Sequence, residues 1–418
     1  MRIMWRMLIL KPSVIPLRAQ LRISKGYWRS RSYRYFSKMT SLQNKNNAKL
    51  LIVTQTIDEN DPVLGFFVRW VEEFAKRAES VEVICLNLGK SDLPKNVHVH
   101  SLGKERVAGT DNTGNIKQAQ STAPSFARRC ALRATYAIRF IHLVWSLRKR
   151  YDAVFVHMNP EYFVLAGKLW RLMRKRTALW YTHKSVDLKL RIAVLFANIV
   201  FTASPESFRL KSRKVHVVGH GIDMELFTKK ADEHTKDKNY PKKTFRILTT
   251  GRISKTKRIA EMLSALDVLY SLGEDFIFIV AGTPATNEDK LYEQKLLRFV
   301  SASPYSERVR FIGAVSHKDI PKMLNECDVF INLSETGSMD KAILEALAVC
   351  VPVVTTNVAF RDILARTQNL FIENGTPEKI ANTLIFARNA DISAISKEIR
   401  QRYALQHTIK SIMKILTA

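Results

Sequence analysis

Two stretches in the rear half of the chain carry residue types suited to a negatively charged leaving group. The first reads Thr249-Thr250-Gly251-Arg252-Ile253-Ser254-Lys255-Thr256-Lys257-Arg258-Ile259. A strand-like run ends in Gly251, a guanidinium follows at once, and Lys257 stands five residues on, where a helix is expected to begin. Glycine admits a ligand close to the backbone, and two cations beside a helix N-terminus can grip a diphosphate. Charged loops of this kind are often simply solvated, so the stretch alone is weak.

The second stretch runs from Ser334 to Val354: a small-residue loop with Gly337 and Ser338, then Asp340, Lys341 and, two turns into a helix, Glu345. Free N–H groups and hydroxyls at a helix start form a nest for phosphate or sugar oxygens. Capping of the helix by Asp340 or Ser338 is the competing reading. In the front half, Gly65 closes the turn Asp61-Pro62-Val63-Leu64-Gly65 between a strand and a helix. His157 and Glu161 follow one strand, and His183 and Lys184 follow another. Residues at strand ends project into an α/β cleft, which makes His183 a catalytic candidate and His157, Glu161 and Lys184 acceptor-side candidates, while a lone histidine is more often a satisfied structural residue.

Short β-branched runs alternating with helical stretches position these residues, which is the pattern of parallel βαβ units. The expected front domain is 49–230 and the expected rear domain 244–390. A charged linker at 231–243 joins them, and a final helical segment, 391–418, is expected to cross back to the front domain. The class is α/β: two Rossmann-like domains with parallel sheets facing an interdomain cleft, where such sheets bind ligands. Residues 103–125 read as a surface insertion, and 126–150 as a long basic helix. That helix is either core-packed with a solvated basic side or an interfacial helix for an anionic membrane surface.

Composition sets the limits. With 418 residues, 46% hydrophobic and 25% charged, the chain is an ordinary folded protein of two or three domains. Four cysteines without metal-ligand spacing make a disulfide framework or structural zinc improbable. The net charge of +29 favours anionic partners, and residues 1–49 hold twelve Lys and Arg with no acid before Asp58. The 1–48 tail reads as an unstructured or mis-started leader, with a transit peptide in 1–38 or a membrane-binding arm as the alternatives. No apolar run is long enough to span a bilayer, so a cytoplasmic protein, or one peripheral on the cytoplasmic face of a membrane, is expected. No RNA-binding run or zinc finger accompanies the charge, so nucleic acid is not an expected partner.

Taken together and in this order, the two rear stretches resemble the carboxyl-terminal domain of family 4 glycosyltransferases of GT-B architecture. The resemblance covers the chain from about Lys49 onward. It implies that Gly251, Arg252 and Lys257 grip the diphosphate of a nucleotide sugar and that Glu345 holds its ribose hydroxyls. His220-Gly221-Ile222-Asp223 and Ala281-Gly282 are supporting matches, and His183 matches a position beside the reacting sugar. The first glutamate of the family's E-x7-E pair should stand at Gly337, and here it does not. Glu335, Asp340 and Lys341 are therefore expected to share the sugar-binding work, with Gly65, Gly282, Gly337 and Ser338 as further donor contacts. Cys350 also replaces the family's glycine. The implied activity is hexosyl transfer from a nucleotide sugar to a lipid-linked or glycan acceptor, with retention of configuration. No cofactor or metal is expected, because Asp58-Glu59-Asn60-Asp61 lacks DxD spacing. A catalytically degenerate nucleotide-sugar binder is the alternative.

Overall fold

The computed structural model describes residues 47–105, 126–229, 244–334, 337–365 and 370–418, all within one unit, Asn46–Ala418. The 1–46 leader, most of the 103–125 insertion and the 231–243 linker lie outside the described residues.

Seven strands form the front sheet: β1 (Lys49–Ile57), β2 (Ser80–Leu88), β3 (Val97–Ser101), β4 (Ala153–His157), β5 (Arg176–Trp180), β6 (Ile199–Thr202) and β7 (Val215–Val217). They are parallel throughout, in the order β3-β2-β1-β4-β5-β6-β7. Central strands buried on both faces need near-continuous apolar runs, and Leu50 to Val53 are fully buried. On one face the Phe66–Ala75 helix packs with the Leu405–Leu416 helix, through Trp70, Phe74, Leu405 and Ile409. On the other, helices Phe126–Ser146, Glu161–Leu172 and Leu188–Phe196 share a core of Phe140, Phe163, Trp170 and Leu190.

The rear sheet holds β8 (Phe245–Thr250), β9 (Phe276–Ala281), β10 (Val309–Gly313), β11 (Val329–Asn332) and β12 (Val353–Thr355), parallel in the order β10-β9-β8-β11-β12. The order reverses at β8, whose carboxyl end feeds Gly251, and β11 beside it feeds the Gly337 loop. That switch point is where an open α/β sheet makes its crevice.

Three local findings differ from expectation. The Leu188–Phe196 helix was not expected; its run LKLRIAVLF lacks a clean apolar stripe, and it is fixed by Asp187 accepting from Leu190 N–H at 2.8 Å. The basic helix stops at Ser146, short of Arg150. The chain after 391 is two helices, because the backbone at Ala404 is captured: Ile222 N–H donates to Tyr403 O and Leu405 N–H to Ile222 O, both at 2.8 Å. The second of these helices then enters the front core.

Cys350, just past the Lys341–Ala348 helix, sits at φ +64°. That left-handed conformation costs a side chain about 1–2 kcal/mol and is the usual place of a helix-ending glycine. Cys350→Gly is expected to be more stable than Cys350→Ala by about 1 kcal/mol, since both lose the thiol and only one keeps the strain. Urea melts of the two variants check this; equal midpoints would show the strain to be relieved elsewhere.

Candidate active site at the interdomain cleft

At the carboxyl ends of β8 and β9 the backbone favours glycine, by crowding at Gly282 and by a positive φ at Gly251. A Cβ at Gly282 would fall 1.8 Å from Gly251 O, and one at Gly251 (φ +121°) would lie 3.4 Å from Lys257 Cε. Gly282 is thus demanded by the neighbouring strand end, while Gly251 lets the Lys257 stem lie over the bare backbone. Lys257 Nζ donates to Asp340 Oδ2 at 2.6 Å. Arg252 is about half exposed, and among the described residues its one ion pair is with Asp289, at 3.9 Å, so its guanidinium is available to an anion.

Asp340 corrects an expectation. Its Oδ1 caps the Lys341–Ala348 helix by accepting Ala342 N–H at 3.1 Å, and its Oδ2 takes Lys257 and Asn332 Nδ2 (3.0 Å). Burial alone would raise its pKa, but the Lys257 charge and these hydrogen bonds outweigh burial and hold it down at about 2. A carboxylate so engaged positions Lys257 and offers little to a hexose. Ser338 is tied through its carbonyl, which accepts Asn357 Nδ2 at 2.9 Å. Glu335 lies outside the described residues.

Lys341 also differs from expectation, because it faces the interdomain contact instead of an open sugar subsite. Its ammonium lies 3.1 Å from Glu345 Oε1 and 3.6 Å above the Phe66 ring. The first residues of two helices, one from each domain, meet there. His317 Nε2 stands 2.8 Å from the same Glu345 oxygen and 3.2 Å from Lys341 Nζ. Burial pulls the Lys341 pKa down against the pull of Glu345. Burial also pushes Glu345 up, but Lys341 and then His317 leave it below its ordinary value. Among the described residues both contacts fall on Oε1, which leaves Oε2 for another donor. His317 went unnoticed in the sequence, although a histidine shortly after a strand, in Val315-Ser316-His317, is the signal weighed in the front half.

The front-half candidates separate. His157 is a core residue: 2% exposed, stacked on Phe67 with centroids 4.0 Å apart, Nδ1 3.4 Å from Thr54 Oγ1. Burial, then the charges of Lys341 and His220, drive its pKa to about 3. A ring held neutral and enclosed does not reach an acceptor, which overturns that expectation. Gly65 is explained by its own turn, since a Cβ would meet Asp61 O at 2.6 Å.

His183 is exposed, with Nδ1 3.2 Å from Ser185 Oγ. It borders an open recess of about 250 Å³ with Met158, Glu161 and Lys189, and Glu161 is ion-paired to Lys189. Lys184 crosses to the other domain: its Nζ lies 2.6 Å from where a Gly337 Cβ would stand. Gly337, at φ +60°, therefore leaves space that an ammonium from the front domain fills. His220 Nε2–H donates to Met339 O at 3.0 Å, and burial, then the Lys341 charge, hold its pKa at about 4. Arg69 donates to Asp223 Oδ2 at 2.7 Å, between Ile222 and Met224 of the rear core.

Two parallel-sheet α/β domains with a cleft between their strand ends define the GT-B fold, and this chain has it. Residues 230–402 match the family model of glycosyl transferases group 1. The chain is similar to the alpha-monoglucosyldiacylglycerol synthase of Acholeplasma laidlawii, 26% identical over 173 residues, 41% of this chain and 39% of that protein. It is also similar to the capsular polysaccharide biosynthesis glycosyltransferase CapM of Staphylococcus aureus, 27% identical over 231 residues, 51% of this chain and 58% of that one. The chain thus spans less than two thirds of either relative's length. Among solved structures, Anabaena Alr3699/HepE in complex with UDP and glucose aligns with a TM-score of 0.66 at 17% identity, covering 89% of this chain and 100% of that one.

Proposed function

We propose that the protein is a glycosyltransferase. It moves a hexosyl group from a nucleotide sugar to a lipid-linked or polysaccharide-precursor acceptor, with retention and without a metal. The observation that carries this reading is the pair of cations at the β8 switch point: Lys257 held in place by Asp340 beside a side-chain-less Gly251, and the half-exposed Arg252, which is only loosely approached by Asp289 at 3.9 Å. Preorganised donors of this kind stabilise charge that develops as a diphosphate departs. The matched family and the two relatives support glycosyl transfer as the activity.

In this reading Glu345 offers Oε2 to the ribose hydroxyls while Lys341 and His317 hold Oε1. His183 and Lys184 approach the transferred sugar from the front domain, with the recess beside His183 open to acceptor. Closure of the two domains sets the reactive distance.

A second reading, a nucleotide-sugar binder that has lost transfer, draws on one feature: position 337 has no carboxylate, and Asp340 and Lys341 are engaged elsewhere. A thermal-shift panel of UDP-, GDP- and ADP-sugars tests binding, since a ligand at 100 times its Kd stabilises by about 2.7 kcal/mol. A shift with one nucleotide is expected; no shift with any would sink both readings. Donor turnover by the protein that binds then separates them.

A further inference from the structure

The helical layer over one face of the front sheet is not dressed like an ordinary protein surface. On the Phe126–Ser146 helix, Phe140 and Val144 face the core, yet Ile138, Ile141 and Trp145 form a second apolar stripe at i, i+3 and i+7, with 68%, 40% and 50% of their surfaces exposed. The neighbouring Glu161–Leu172 helix exposes Leu172, and the Leu188–Phe196 helix exposes Leu188 and Leu195 at the same spacing. Three adjacent helices thus turn apolar side chains outward on one side of the molecule, which marks an interaction surface.

Charge says what covers it. From Phe126 to Ser146 there is no acidic residue, and the Arg148 guanidinium lies 4.3 Å above the Trp145 ring. Beyond Leu172 a cavity of about 470 Å³ is lined on one side by Arg171, Arg174, Lys175 and Arg176 and on the other by uncharged residues such as Phe196 and Asn198. Lys175 is committed to Asp152 (3.8 Å) and Arg176 to Ile415 O (3.1 Å). Arg171 and Arg174 make no ion pair among the described residues. Lys214, which closes the Leu188–Phe196 helix by donating to Val194 O and Ala197 O, has its pKa lowered by burial and then by Arg171.

We propose that the outward face of these three helices docks on an anionic lipid bilayer, its apolar stripes in the interfacial layer and the Arg171–Arg176 cavity against headgroup phosphates. Apolar side chains ringed by arginine and lysine match such an interface in both polarity and charge. A protein partner would have to present an equally apolar and acidic face.

The test uses the full chain with phosphatidylcholine vesicles, with and without phosphatidylglycerol. Because the leader is also basic, the comparison is between variants and wild type. Wild type is expected on the phosphatidylglycerol vesicles, with Trp145 quenched by brominated lipid and that quenching absent in Trp145→Phe. Arg171→Gln with Arg174→Gln is expected to weaken binding about 30-fold, and Ile141→Ser with Trp145→Ser about tenfold, both at unchanged melting temperature. Wild-type affinity in both double variants would overturn the proposal, as would equal binding to neutral vesicles. Loss in the arginine variant alone would reduce the effect to loose electrostatic adsorption and also overturn it. Self-association that Ile141→Ser with Trp145→Ser abolishes, without vesicle binding, would assign the face to a second copy instead.

Discussion

Arg252→Ala is expected to lower kcat for sugar transfer by about 10²–10³, the usual loss when one preorganised donor to a developing oxyanion is removed, while folding stability moves by no more than about 0.5 kcal/mol. The stability half follows from exposure: the guanidinium has about half its surface in solvent and, among the described residues, one loose ion pair with Asp289 at 3.9 Å, so little in the fold depends on it. The activity half follows from place: it stands next to Gly251 at the switch point of the rear sheet, where the diphosphate would lie. Lys257→Ala should cost transfer as much and stability more, because Asp340 then keeps only its neutral hydrogen-bond donors in a buried site. Adding Asp340→Asn should restore the stability but not the transfer, and that split assigns Lys257 a role beyond neutralising its partner. Single-turnover kinetics and urea melts on the four proteins make the comparison. Near-wild-type turnover in either single variant would refute the cation pair as the charge-bearing element.

The α/β alternation was legible because parallel strands buried on both faces must be written as runs such as Leu50 to Val53, whose burial follows from composition alone. The glycines and cations of the β8 loop were legible for a similar reason: backbone crowding and charge leave residue types as their mark. Partners distant in sequence left no such trace. Asp340 reads equally as cap or ligand until Lys257, 83 residues earlier, is seen to occupy it. His157 reads as a cleft residue until Phe67 is found stacked on its ring. The Leu188–Phe196 helix was hidden because its exposed positions include Leu188 and Leu195, which erase the polar face that periodicity needs. Those leucines were unreadable as helix for the same reason that they suit the proposed lipid-facing surface.

Glu345→Ala is expected to cost about 3–5 kcal/mol of folding stability, the range found when one member of a buried ion pair is removed. The carboxylate is nearly enclosed, and its Oε1 holds both the Lys341 ammonium at 3.1 Å and His317 at 2.8 Å. Without it, Lys341 keeps the Phe66 ring, the charge of Asp223 and a histidine whose pKa burial and the same ammonium lower. Replacing the pair, Lys341→Met with Glu345→Leu, should recover most of that loss, because a well-packed apolar pair avoids the desolvation cost of two ions. The double variant should nevertheless bind a nucleotide sugar poorly, since the ribose then has no carboxylate to meet. Urea melts measure the first effect and the nucleotide-sugar thermal shift the second. A Glu345→Ala protein within about 1 kcal/mol of wild type would mean that water already shares this cluster. Undiminished nucleotide-sugar binding by the folded double variant would remove Glu345 from the donor site and leave it a purely structural group between the two domains.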